Sequence, residues 1–180
     1  EFDPTGGGDR LPRARAVAIR LEEPNILHGL GSGEVGDLLL FTMPYVQGED
    51  LGDLLLSEPS LPLPRALAIV RAVGAALTAA HEQGVVHRDI KPDNILLEGE
   101  TVMVADFGVA RAVSDMHEKL TATGMVVGTP VYMSPEQATG EKEIDGRSDQ
   151  YALASVLYEM IAGEPPFRGA TPTATLMRRF

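Results

Sequence analysis

His87-Arg88-Asp89-Ile90-Lys91-Pro92-Asp93-Asn94 gathers a carboxylate, an amine and a carboxamide into one short loop. Such a set can hold a hydroxyl nucleophile, a phosphate and a divalent cation together, provided the fold turns all three groups toward one cleft. Asp106-Phe107-Gly108 follows, its acid 17 positions after Asp89, and Ser134-Pro135-Glu136 comes later. Each tripeptide alone is weak evidence. All three in this order and at these distances constrain the chain strongly.

Composition removes several other classes. The net charge is −11, with no run of Lys or Arg, which argues against a nucleic-acid surface and against binding to anionic lipid. Cysteine is absent, so disulfides, thiolate chemistry and Cys-ligated zinc are excluded. His28, His81 and His117 show no ligand spacing. No run of about 20 apolar residues is evident, so no segment is expected to span a membrane, and the start lacks a basic-then-apolar leader pattern. The apolar fraction of 44% is enough for the core of one domain.

Residues 1–11, with Gly6-Gly7-Gly8, read as a flexible lead-in. A short helix is expected over 12–22, ended by Pro24. Strands are expected at Ile26–Leu30 and Leu38–Met43, joined by a turn at Gly31–Gly36. A short helix is expected at Asp50–Leu56. A long helix should begin near Pro64 and end at Gly84, with one apolar stripe on Leu67, Val70, Gly74, Leu77 and His81 and another on Ile69, Val73, Ala76 and Ala80. So wide an apolar surface predicts a helix that is mostly buried, and His81 near its end reads as structural. Short β-rich pieces follow at Val85-Val86, Ile95–Leu97 and Val102–Ala105. Residues 109–133 read as a long loop. A core helix should run from Asp149, its expected cap, to about Ala162, where Gly163-Glu164-Pro165-Pro166 stops it.

The three motifs resemble the protein kinase signature, and Met133–Ala138 together with Tyr158-Glu159-Met160 resemble bacterial serine/threonine kinases in particular. The resemblance runs from about residue 12 to residue 180. It implies an α+β, protein-kinase-like fold, with a partial β-rich small lobe at 12–43, a hinge at 44–48 and a mainly helical larger lobe at 49–180. It also implies that ATP and Mg2+ (or Mn2+) are the cofactors. Asp89 is then the base that accepts the proton of the attacking hydroxyl, and Lys91 neutralises the transferred phosphate. Asn94 and Asp106 supply oxygen ligands to the metal. His87 and Phe107 pack beneath the site, and Gly108 lets the backbone swing after the metal ligand.

On the nucleotide side the resemblance assigns Met43 to the back of an adenine pocket and Leu96 to its floor. The Pro44 carbonyl and the Val46 N–H would read the base, and Asp50 would reach the ribose. Proline costs nothing at position 44, because only its carbonyl is used. Thr121 and Thr123 are the implied phosphorylation sites, with Ser114 weaker. A phosphate there, adding roughly two negative charges, would pair with Arg88 and order the loop. Thr129 would organise Asp89 and Lys91, and Asp149 would also hold the backbone of the loop that carries Asp89.

The chain departs from the family pattern near its start. Residues 1–180 contain no glycine-rich phosphate loop and no lysine of the Val-Ala-Ile-Lys type, and the expected helix glutamate falls on Ala14. The family's arginine partner for Glu136 is also missing, so Glu136 is expected to sit unpaired. The chain reads as a kinase domain truncated at both ends, of low activity by itself. Its expected partners are protein substrates and other kinase copies, with no nucleic acid and no membrane contact from this segment; the expected setting is cytoplasmic, with room for a membrane anchor of the intact protein outside these residues. Two other functions stay open: a pseudokinase-like module that docks partners without catalysis, and a small-molecule phosphotransferase. Gly128–Glu136 disfavours the second, because in the family that segment serves a peptide substrate.

Overall fold

The computed structural model describes residues 23–35, 38–107 and 130–180. The expected helix at 12–22 and most of the loop at 109–133 lie outside them. Among the described residues two small antiparallel sheets occur, and the strands of the second lie on both sides of the first two helices in the sequence, giving the α+β arrangement. Strand β1 (Gly31–Val35) pairs with β2 (Leu38–Thr42), with Gly31 opposite Thr42 and Val35 opposite Leu38. The first strand therefore occupies the segment expected to turn. The apolar residues expected to form it, Ile26 and Leu27, are buried elsewhere. Ile26 bridges Val104, and the Leu27 N–H donates to the Val104 carbonyl at 2.9 Å. Their apolarity marks contact with the second sheet, not membership of the hairpin.

That second sheet has the order β3 (Glu49–Asp50), β4 (Ile95–Glu98), β5 (Thr101–Val104), all antiparallel. Gly99 makes the β4–β5 turn at φ 61°, a left-handed conformation that glycine adopts without a Cβ clash. Val85-Val86 forms no strand; the Val85 N–H instead closes the preceding helix by donating to the Ala80 carbonyl at 2.9 Å.

Helix α1 (Leu51–Ser57) starts at Asp50, whose Oδ1 accepts from the Asp53 N–H at 2.9 Å. This is ordinary N-capping by a carboxylate. Helix α2 (Leu63–Glu82) has Pro64 in its first turn, where a missing N–H costs little. Its Ile69, Val73, Ala76 and Ala80 stripe is buried, whereas Leu67, Val70, Gly74 and His81 of the other stripe are half-buried and Leu77 alone joins the core. The helix thus buries one face, narrower than expected. By length and composition alone α2 is apolar enough to cross a membrane, a test that the core helix of a globular domain also passes. Here its inner face packs on β5 and on helix α4 (Gly146–Ala162). Each fully buried Val or Ile on that face contributes about 1.5–3 kcal/mol.

Helix α4 begins three residues before Asp149. Asp145 is its cap, accepting from the Arg147 N–H at 2.9 Å, so the expectation that Asp149 caps this helix is corrected. Asp149 lies inside the first turn and is buried. Two short helices complete the body, α3 (Pro135–Ala138) and α5 (Pro172–Met177).

The segment between β2 and β3 is stitched to β4. The Glu98 carboxylate accepts from the Gln47 N–H at 3.0 Å, and a Cβ built on Gly48 would lie 1.8 Å from the Leu97 carbonyl oxygen. Backbone cannot yield that much without breaking the β3–β4 pairing. Gly48→Ala is therefore expected to destabilise the protein by about 1–3 kcal/mol, read as a lower midpoint in urea. A midpoint equal to that of the parent would contradict this packing.

Candidate functional site

The loop carrying Asp89 is held from below by one buried acid. Asp149 Oδ2 accepts from the His87 N–H at 2.9 Å and lies 2.7 Å from His81 Nε2, while Oδ1 accepts from the Arg88 N–H at 2.8 Å. A carboxylate almost without solvent is tolerable because these donors replace its water. His81, at the end of α2, is thereby tied to α4.

His87 is buried. Its ring meets Phe107 edge to face at 4.6 Å between centroids. Nε2 lies 2.8 Å from the Ala105 carbonyl, and Nδ1 accepts from the Asp89 N–H at 3.2 Å. These partners suit the neutral ring with its proton on Nε2. Burial lowers its pKa below the ordinary value of 6.5, against the opposing pull of the Ala105 carbonyl and of Asp149, Asp89 and Asp106.

Above this base the polar groups converge. Asn94 Nδ2 donates to the Asp89 backbone oxygen at 2.7 Å and to its Oδ2 at 3.2 Å, and Lys91 Nζ lies 3.1 Å from the same Oδ2. Beyond Val104, the Ala105 N–H donates to the Asn94 carbonyl at 2.9 Å. Ladder contact thus continues past β4 and β5 as far as Ala105, the residue before Asp106. Asp89 and Asp106 both lie close enough to His87 to influence its charge. Spacing in the sequence is converted into convergence by two devices: the turn Pro92–Asn94, and the pairing of β4 with β5.

Arg88 and Asp106 have positive φ, 70° and 65°. For residues with a side chain this costs about 1–3 kcal/mol each, and it persists only where the surroundings enforce it. Among the described residues no group of three or more His, Asp or Glu is placed to hold a metal ion. The available donors are the Asn94 side-chain oxygen, left over once its nitrogen is committed to Asp89, and the Asp106 carboxylate. Two hard oxygens suit magnesium, which keeps water and phosphate for its remaining positions.

The other candidates fall variously. Met43 is 41% exposed, and so lies outside the packed core, whereas Val46 is half-buried beside Pro44. Leu96 is half-buried in β4, opposite Asp50, and one Asp50 oxygen is already engaged in capping α1. Gly108, Ser114, His117, Thr121, Thr123 and Thr129 lie outside the described residues. Glu136, expected to be unpaired, is half-exposed and accepts from the Ser148 hydroxyl, a bond that holds its carboxyl below the usual carboxylate range.

Sequence reasoning missed two features here. Tyr132 donates to Glu159 at 2.6 Å, and burial raises the pKa of both groups. Gln137 donates to the Arg88 carbonyl at 2.7 Å from helix α3. The Ser134-x-x-Gln137 spacing is a capping-box pattern and could have disclosed that helix, though not its partner.

A sequence profile described as "Protein kinase domain" matches residues 8–179. The chain belongs to the protein kinase domain family. It is 40% identical over 170 residues to serine/threonine-protein kinase PknB of Mycobacterium tuberculosis, covering 92% of this chain and 27% of that protein. It is 44% identical over 161 residues to PknE of the same species, covering 89% and 28%. The chain thus spans little more than a quarter of the length of these relatives. The M. tuberculosis PknI kinase domain has a similar structure, with a TM-score of 0.72 and 35% identity over 90% of this chain and 58% of that one. The kinase-like α+β fold expected from the motifs agrees with these likenesses.

Proposed function

We propose that this kinase domain transfers the γ-phosphate of ATP to serine or threonine hydroxyls of protein substrates. The observation that carries the reading is the contact of Asp89 with both Lys91 and Asn94 in one tightly held loop, with Asp106 following the Ala105 that bonds to the Asn94 carbonyl. Asp89, with a half-exposed side chain, accepts the hydroxyl proton. Lys91 balances charge on the phosphate. Asn94 and Asp106 hold Mg2+ or Mn2+, which when bound neutralises the phosphate oxygens. Residues 44–48 read adenine through the Pro44 carbonyl and the Val46 N–H, with Met43 and Leu96 against the ring and Asp50 near the ribose. Residues 12–43 form part of the small lobe and 49–180 part of the larger one. Phosphorylation at Thr121 and Thr123 regulates the domain through Arg88. Residues 1–180 alone transfer phosphate slowly, because the phosphate-gripping lysine and glycine loop have no counterpart in them.

Titration with a non-hydrolysable ATP analogue tests the site. Magnesium should tighten binding by about tenfold or more, and Asp106→Asn should remove that dependence while leaving metal-free binding unchanged. Affinity indifferent to magnesium, with no phosphate reaching any protein, would instead favour the docking-module reading.

A further inference from the structure

The peptide unit joining Arg88 to Asp89 is gripped at both of its polar atoms. Its carbonyl oxygen accepts from Gln137 Nε2 at 2.7 Å, and its N–H donates to His87 Nδ1 at 3.2 Å. The preceding peptide is fixed through the Arg88 N–H on Asp149. Arg88 between them is at φ 70°, a conformation that relaxes unless both neighbours are restrained. Of the three restraints, one comes from the neighbouring loop residue His87 and one from Asp149 in α4. The third comes from α3, 49 positions away in sequence.

Gln137 is built to deliver that bond. Its own Oε1 accepts from the Ser134 N–H at 3.0 Å, and its N–H donates to the Ser134 hydroxyl at 3.3 Å, completing a capping box. The oxygen end of the amide is thereby oriented, so its NH2 end can only point away from the helix start, toward Arg88. Ser134 is itself fully buried and donates to Ser148 in α4 at 3.0 Å, which anchors the box to the core.

We infer that Gln137 is a positioning residue that holds the Arg88–Asp89 peptide in the orientation that aims the Asp89 carboxylate. A turn at Arg88 ψ that Asp89 φ does not compensate swings the carboxylate away from Asn94 and Lys91. Segment 134–137 is therefore coupled to the proton acceptor by one side-chain amide. The inference deepens the kinase reading of the same loop and rests on it for its catalytic consequence.

Gln137→Glu separates the two jobs of the side chain. Glutamate serves the capping box as well as glutamine does, but it sets an oxygen, not a donor, against the Arg88 carbonyl. Gln137→Met removes both bonds at similar volume. For Gln137→Glu at neutral pH we expect an unfolding midpoint close to the parent's and a KM for ATP within about twofold. We expect kcat to fall roughly ten- to a hundredfold, the scale of a misplaced reacting group. Hydrogen exchange at the Arg88 and Asp89 amides should quicken by about tenfold, with that of α2 unchanged. Parent-like exchange at both amides in Gln137→Glu overturns the inference. So does a loss of activity that appears only in Gln137→Met, alongside a lowered midpoint, since the side chain would then serve the helix alone. Should the parent transfer no phosphate to protein, the exchange rates alone decide the role of Gln137.

Discussion

Asp89→Asn should reduce phosphate transfer to protein by about 10²–10⁴-fold, the usual contribution of a positioned general base, limited by the sensitivity of the assay if the parent is slow. The fold should barely notice. The Asp89 side chain is half-exposed, and its ion pair with Lys91 is partly solvated, so losing that pair costs at most about 1 kcal/mol. The strongest local restraint, Asn94 Nδ2 on the Asp89 backbone oxygen, does not involve the carboxylate and survives. The expected signature is a large loss in turnover with an unchanged urea midpoint and unchanged magnesium-dependent nucleotide binding. A transfer rate equal to the parent's would remove Asp89 from the chemistry.

Asp149→Ala should do the reverse, taking stability first. Its carboxylate is the acceptor for the His87 and Arg88 N–H groups and faces His81. Removal leaves two amide donors without a partner in a region closed to water, at about 1–3 kcal/mol each. It also opens a cavity between α2, α4 and the Asp89 loop. The expected cost is about 3–5 kcal/mol, comparable to breaking a buried charged contact, with activity lost alongside. Asp149→Asn keeps one carbonyl acceptor but turns an NH2 toward a donor, so it should fall between parent and alanine. Urea denaturation of the three proteins checks the order, and an Asp149→Ala midpoint near the parent's would mean that water reaches these amides after all.

Much of this was legible in the sequence where one local signal dominates. Proline near the start of α2, glycine at its end and a regular apolar stripe between them mark that helix within a residue or two. The β4 and β5 segments were visible as short β-rich runs. The loop from His87 to Asn94 announced its chemistry through residue types that no packing demand would assemble. What stayed hidden depends on long-range geometry. Ile26 and Leu27 look like strand residues because they are buried, but their neighbour is β5. Asp149 has the composition of a helix cap, yet Asp145 stands four residues earlier and captures that role, freeing Asp149 to reach the Asp89 loop. Gln137 reads as a surface glutamine until α3 is placed beside Arg88. No periodicity reports a contact between segments 49 positions apart.

The left-handed backbones of Arg88 and Asp106 have a wider implication. Glycine would sit there at ease, but glycine carries no carboxylate and no guanidinium, so the chain must hold reluctant residues in place by external grip. The Asp89 loop then keeps its shape only while its surrounding contacts last. On warming, its outline should blur while the interior between the two long helices is still solid, and competence should fade at temperatures where most of the molecule remains folded.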